Sequence, residues 1–152
     1  MAAIDFGLIG NGAVAALVDR QGAINWFCLP RFDGDPVFHS LLGSPDGRHG
    51  QGGFAIELAD GQVVSQRYRP NTAILETVIE GPSGRIRIHD AAPRPEGGDD
   101  VERPALIIRR VEPLAGQPRI NIRCRPSHDY GRQEPVRLSG DGHLRYQAGE
   151  QS

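Results

Sequence analysis

Turn-forming clusters interrupt this chain so regularly that a helix has little room to grow. Asp19-Arg20-Gln21-Gly22 separates AVAALV from AINWFCL, and Asp60-Gly61 separates FAIEL from QVVSQRYR. Gly81-Pro82-Ser83-Gly84 separates AILETVIE from RIRIHDA, a join around Gly116 separates ALIIRRVEPL from PRINIRCRP, and Gly140-Asp141-Gly142 separates VRLSG from HLRYQ. Short runs rich in apolar and β-branched residues, joined by Gly and Asp, are what strands joined by tight turns look like in sequence. With 20 Gly and 12 Pro in 152 residues, turn formers are too frequent for a helical domain. About ten such strands, with no strand–helix rhythm, predict an all-β fold: an antiparallel β-sandwich forming one domain over residues 1–152. A length of 152 residues is enough to bury a real core. One segment reads differently. In DPVFHSLLG, Asp35 as cap, Pro36 at the first helical position and Gly43 as stop predict one short helix. Residues 94–104, RPEGGDDVERP, have no apolar period and predict an exposed loop.

Two stretches alternate strictly. Ile86 and Ile88 alternate with Arg85, Arg87 and His89; Ile120, Ile122 and Cys124 alternate with Arg119, Asn121, Arg123 and Arg125. A period of two sends the apolar set to one face of a sheet and the arginines to the other, so both apolar sets are expected on a core face. The formal charge of -2 offers no basic excess for nucleic acid, and no apolar run is long enough to cross a bilayer. The first residues show no secretory pattern, and Cys28 and Cys124 are far apart in sequence. Two reduced thiols in a cytoplasmic protein are the expectation.

Candidate chemistry is sparse. Asp33 and Asp35 lie close together, as do Asp99 and Asp100, but glycoside hydrolysis needs two carboxyls facing each other across a bond, and neighbours in one loop rarely do that. Turn and cap roles suit Asp33 and Asp35, and a solvated loop suits Asp99 and Asp100. Ser127, His128 and Asp129 are consecutive and so point in different directions, which makes them a loop rather than a triad, with Tyr130 packing and Arg132 exposed. His39, His49, His89, His128 and His143 show no paired metal-ligand spacing; no metal or other cofactor is implied. The glycines of GLIGNG lack the Lys-Ser/Thr of a phosphate loop and mark a tight turn between strands. Trp26, Phe27, Phe32 and Phe38 form an aromatic group. INWFCL reads as a central strand with Trp26, Phe27 and Cys28 in the core, Trp26 being largely buried. Pro30 ends that strand because it cannot donate to the ladder.

These residues together resemble a known family. LIGNGAVAALVDRQGAINWFCLPRFDGDPVFHSLLG is similar to the opening of bacterial and archaeal glucoamylase-like proteins of glycoside hydrolase family 15, in which a Trp-Leu-Cys-Leu-Pro-Arg-Phe-Asp run precedes a short Phe-containing helix. YRPNTAILETVIEGPSGRIRIHDAAPRP and LIIRRVEPLAGQPRINIRCRPSHDYGR follow in the family's order. Phe27 stands where Leu is usual, Gly34-Asp35 where Ser is common, and Ser127-His128 where the family tends to have Arg-Phe. The resemblance implies a trehalase-like N-terminal β-sandwich domain, with the catalytic (α/α)₆ barrel and its two Glu residues absent from these 152 residues. It implies that the chain alone is inactive. The parent would be an inverting hydrolase of α-glucosidic bonds, and the domain would stabilise and dock onto the barrel of its own chain. On that implication Arg31, Phe32, Asp33 and Asp35 belong to the interface or the rim of the sugar pocket. Two other roles fit the same residues. A free carbohydrate-binding module would bind α-glucan or trehalose and expose Tyr68, Tyr130 and Tyr146 in a row. An assembly domain would form a homodimer through a sheet edge.

Overall fold

The computed structural model describes residues 5–43, 52–97 and 101–148. Among them run β1 Gly7–Gly10, β2 Ala15–Val18, β3 Ile24–Leu29, β4 Asp35–Phe38, β5 Gly53–Leu58, β6 Gln62–Tyr68, β7 Leu75–Gly81, β8 Gly84–Ala91, β9 Ile108–Gly116, β10 Ile120–Arg125, β11 Val136–Gly140 and β12 His143–Gln147. Every pairing of these strands is antiparallel. One sheet runs β1-β2-β3-β5-β10, with β4 also on β3; the other runs β6-β7-β8-β9; β11 and β12 pair only with each other. The fold is an antiparallel β-sandwich with an appended hairpin.

The turns explain the connectivity. Asp19–Gly22 closes the β2–β3 hairpin, with the Asp19 carboxylate accepting from the Gln21 and Ala23 amides at 2.9 and 2.8 Å. Gly81 sits opposite Gly84 in the β7–β8 hairpin, where a Cβ on Gly84 would collide with the Ala115 carbonyl. Gly140–Gly142 closes β11–β12. The remaining two turns are not hairpins. Asp60-Gly61 and residues 117–119 each carry the chain from one sheet to the other. At Gly61 the backbone is pressed between the layers: an added Cβ would lie 2.8 Å from Leu58 and 2.9 Å from Ile79. A turn signal specifies a reversal of the chain, and the choice of partner strand is left to packing.

The expected helix over 35–43 is replaced by strand β4 and a 3-10 turn at Ser40–Leu42. Val37 and Phe38 suit a pleated surface, Phe38 faces Phe27 across the pair, and Pro36 falls where a register shift interrupts the β3–β4 ladder, a place that tolerates a missing N–H.

The core fills the space between the sheets. Ile9, Val14, Ala16, Val18, Ile24, Phe27, Phe38 and Ala92 cluster with Leu75, while Ile56 and Leu58 of the first sheet meet Ile79, Ile86 and Ile88 of the second. A buried ion pair within the second sheet also reaches across to the first. Arg109 donates to Asp90 through Nε at 2.7 Å and Nη2 at 3.0 Å, to the Phe54 carbonyl at 2.7 Å, and to the Gly22 carbonyl. Its guanidinium also lies 4.9 Å from the centre of the Phe54 ring. One side chain thereby ties β8 and β9 to β5 and the β2–β3 turn, and its geometry satisfies the charge that burial would otherwise leave costly.

Two burial expectations are corrected. Ile120 and Ile122 face the same side as Leu58 and Ile56, their partners on β5, yet they are 40% and 58% exposed, because β10 is an edge strand that the second sheet does not cover. Cys124 is half-buried. Trp26 is also only half-buried. It pairs with Leu17, and Leu17 with the exposed Leu8, on the face opposite the core residues Ile9, Ala16 and Phe27. A register shift in the β2–β3 ladder sets which residues of β3 point inward. Phe27 and Cys28 are 4% and 3% exposed.

Candidate functional site

The stretch after β3 is an exposed loop at one end of the sandwich. The Leu29–Pro30 peptide is cis. Phe32 donates its amide to the Ala13 carbonyl at 2.9 Å, and Gly34 to the Arg31 carbonyl at 3.0 Å, so the loop is fixed against the β1–β2 turn and upon itself. Arg31 forks onto Asp33, Nε to Oδ1 at 3.0 Å and Nη2 to Oδ2 at 3.1 Å. Both side chains remain exposed, and Phe32 is 57% exposed. Asp35 opens β4 opposite Leu29 and is exposed as well. The structure therefore brings Arg31 and Asp33 into direct contact and holds Phe32 and Asp35 beside them at the surface. Asp33 is thus paired with a cation on its own loop.

Asn11, buried at 3% exposure, organises the neighbouring loops. Its amide donates to the carbonyls of Pro93 and Pro104 at 3.0 and 2.8 Å, and its oxygen accepts from the Ala13 and Val14 amides at 2.9 and 3.1 Å. GLIGNG is thus a turn between strands whose Asn clamps the ends of the long β8–β9 loop. Asp99, Asp100 and His49 lie outside the described residues.

Next to this end, a largely apolar cleft of about 330 Å³ opens between the layers, lined by Phe27, Leu29, Phe54, Ile107, Cys124 and Tyr146 among others. Burial raises the Cys28 thiol above its ordinary 9.0; a hydrogen bond from Trp26 opposes this, and the negative charges of Asp35 and Asp33 add to it. Burial also raises Cys124, against the Arg109 charge. Neutral thiols of this kind are poor nucleophiles, and both cysteines are free.

Ser127, His128 and Asp129 do not converge. Ser127 donates its amide to Val37, His128 pairs with Gln133 across a small loop, and Asp129 faces Arg132 at 3.7 Å. Asp129 and Tyr130 hold φ of 46° and 54°, uncommon for residues with side chains, and Tyr130 is 46% exposed rather than packed. The three tyrosines form no platform. The Tyr68 hydroxyl bonds to Leu8 of β1, one edge of the first sheet, and the Tyr146 hydroxyl to Cys124 of β10, the other edge. Among the described residues no group of three or more His, Cys, Asp or Glu is placed to hold a metal ion, and no helix is long and apolar enough to cross a membrane.

Two features went unread in the sequence. The Arg109–Asp90 pair is one. Glu76 is the other: 7% exposed on the outer face of the second sheet, it is faced by His89 at 3.3 Å, Arg87 at 3.5 Å and Arg67 at 3.7 Å. The alternation of Arg87 and His89 with isoleucines identified that charged face, but the acid that neutralises it stands on another strand.

Comparison with known proteins covers nearly the whole chain. The family model described as trehalase-like, N-terminal, matches residues 3–150. A trehalase of Thermoplasma volcanium is 34% identical over 133 residues, spanning 86% of this chain and 20% of that protein. Trehalase 1 of Sulfolobus acidocaldarius is 34% identical over 139 residues, 90% of this chain and 22% of its own length. A trehalase of Mycolicibacterium smegmatis is 24% identical over 141 residues, with 84% and 20% covered. The chain thus spans about one fifth of the length of the curated relatives it matches. No solved structure matches it significantly.

Proposed function

The chain belongs to the trehalase-like N-terminal domain family, and on that premise we propose that it is the non-catalytic N-terminal domain of a trehalase-like hydrolase, stabilising and docking onto a catalytic domain in the same polypeptide. The observation that carries this reading is the extent of the match: most of this chain aligns with only about a fifth of proteins named trehalase, so most of such a protein lies outside the aligned part. The finer attributes follow the sequence resemblance. The catalytic partner is an (α/α)₆ barrel of glycoside hydrolase family 15, the substrate is trehalose or a related α-glucoside, and the site of action is the cytoplasm.

The exposed loop fits the docking role. Phe32 presents an aromatic face to solvent, and the planar Arg31 fork can exchange Asp33 for a carboxylate across an interface. Function gathers in such loops because a rigid scaffold holds them while their side chains stay free. The test assays this chain and the full-length gene product for hydrolysis of trehalose, maltose and starch. The chain alone is expected to be inactive and the full-length protein active. Arg31→Ala is expected to lower activity or catalytic-domain stability in the full-length protein while the isolated domain keeps its melting temperature. Turnover by the isolated chain, abolished by changing Asp33 or Asp35, would overturn the reading.

A further inference from the structure

The C-terminal strands leave an interior-type surface uncovered. Ile120 and Ile122 are in register with the buried Leu58 and Ile56 and share their face, but they are 40% and 58% exposed. The β11–β12 hairpin is exposed along its length except at Tyr146, whose hydroxyl anchors it to the Cys124 carbonyl at 3.0 Å. A two-stranded hairpin is marginal in water without backing. Between hairpin and edge strand lies a groove of about 760 Å³ walled by Ile122, Leu144 and Tyr146. It joins the apolar cleft through Cys124, Pro126 and Tyr146. Val136 and Leu138, on the hairpin's other face, are 56% and 43% exposed.

The charge around this groove is mostly positive: Arg123, Arg125 and Arg137 line it, with Glu134 the one acid among them. Residues 118–148 hold six arginines and three carboxylates, in a chain whose overall charge is -2. Of the arginines lining the groove, Arg123 is answered by Glu57, while Arg125 and Arg137 face no carboxylate among the described residues. An apolar floor rimmed by unanswered arginines fits a segment with apolar residues at its centre and acids at its margins.

We propose that the groove between β10 and the β11–β12 hairpin is the seat of an apolar, acid-flanked segment of the polypeptide that follows this domain in the full-length protein. This rests on the N-terminal-domain reading above. In proteins of that kind about four-fifths of the chain lies outside the matched part, and β12, the last described strand, stands beside the groove. The covering segment completes the layer that the second sheet leaves short, satisfies the free edge of β10, and backs the hairpin.

Hydrogen exchange on this chain and on the full-length gene product tests the proposal. Amides of β10, β11 and β12 are expected to exchange at least about tenfold more slowly in the full-length protein, while β7 and β8 exchange alike in both. Ile122→Asp is expected to leave the melting temperature of this chain unchanged and to abolish the added protection in the full-length protein. Leu144→Asp is a second route should the first variant fold poorly. Equal exchange in the two preparations overturns the proposal. So does protection that appears in this chain alone as concentration rises, with a dimer in sedimentation, because a second copy would then be the occupant. Trehalose hydrolysis by the same full-length sample reports separately on the parent reading: activity without added protection removes only the docking groove, and protection without activity removes only the hydrolase assignment.

Discussion

Strands β8 and β10 carry the same pattern, isoleucines alternating with arginines, and meet opposite fates. Ile86 and Ile88 are 1% and 0% exposed; Ile120 and Ile122 are 40% and 58% exposed. The difference lies in position. Strand β8 is flanked by β7 and β9 and faced by Ile56 and Leu58 of the other sheet, whereas β10 has β5 on one side and nothing described on the other. A period of two divides the faces of a strand but does not say whether either face has a cover.

The largest test of that contrast is the cross-brace behind the covered half. Arg109→Ala would strand the Asp90 carboxylate, whose side chain is wholly buried, and is expected to cost about 3–5 kcal/mol in denaturant melts. A loss below about 1 kcal/mol would mean that Arg109 does not brace the second sheet against the first. Next come the strands themselves. Ile88→Ala is expected to cost about 2–5 kcal/mol, as for other buried large-to-small changes. Stability against pH reads one thiol from each part, Cys28 buried in β3 and Cys124 half-buried in the edge strand β10. Both thiols are raised above 9.0, so the folded chain keeps protons that the unfolded chain releases. Stability owed to them is complete below about pH 9 and falls as pH rises through the folded values, and Cys28→Ser should flatten that decline.

Smaller effects belong to the exposed surfaces. Arg31→Ala in the isolated domain removes an exposed pair and is expected to cost about 0–1 kcal/mol. Ile122→Ala is expected to fall within about 0.5 kcal/mol of the parent, since it removes little buried area. If Ile122→Ala instead cost as much as Ile88→Ala, β10 would be covered in solution, and the comparison between the two strands would collapse.

Much of this architecture was legible in advance where the signal was local. The β2–β3, β7–β8 and β11–β12 hairpins were written in their turn residues, because a tight reversal depends on backbone freedom and side-chain capping within a few positions, as at Asp19–Gly22 and Gly81–Gly84. The alternation of β8 likewise marked a core face and a charged face before any partner was known. The candidate loop was legible as a loop, since Pro30 cannot continue a ladder and two aspartates follow.

Tertiary structure decided what depends on neighbours distant in sequence. It sent Asp60-Gly61 and residues 117–119 between sheets rather than into hairpins, and it made a strand of Asp35–Phe38 by setting Phe38 against Phe27. It turned Trp26 to the outer face through a register shift, and it buried Arg109 with Asp90, 19 positions away. Local chemistry fixes the period and the turns because those energies act over a few residues. Which face is covered, which strand is an edge and which charge is buried are set by the packing of whole sheets. For β10 and its hairpin, this chain's own sheets leave that packing unfinished.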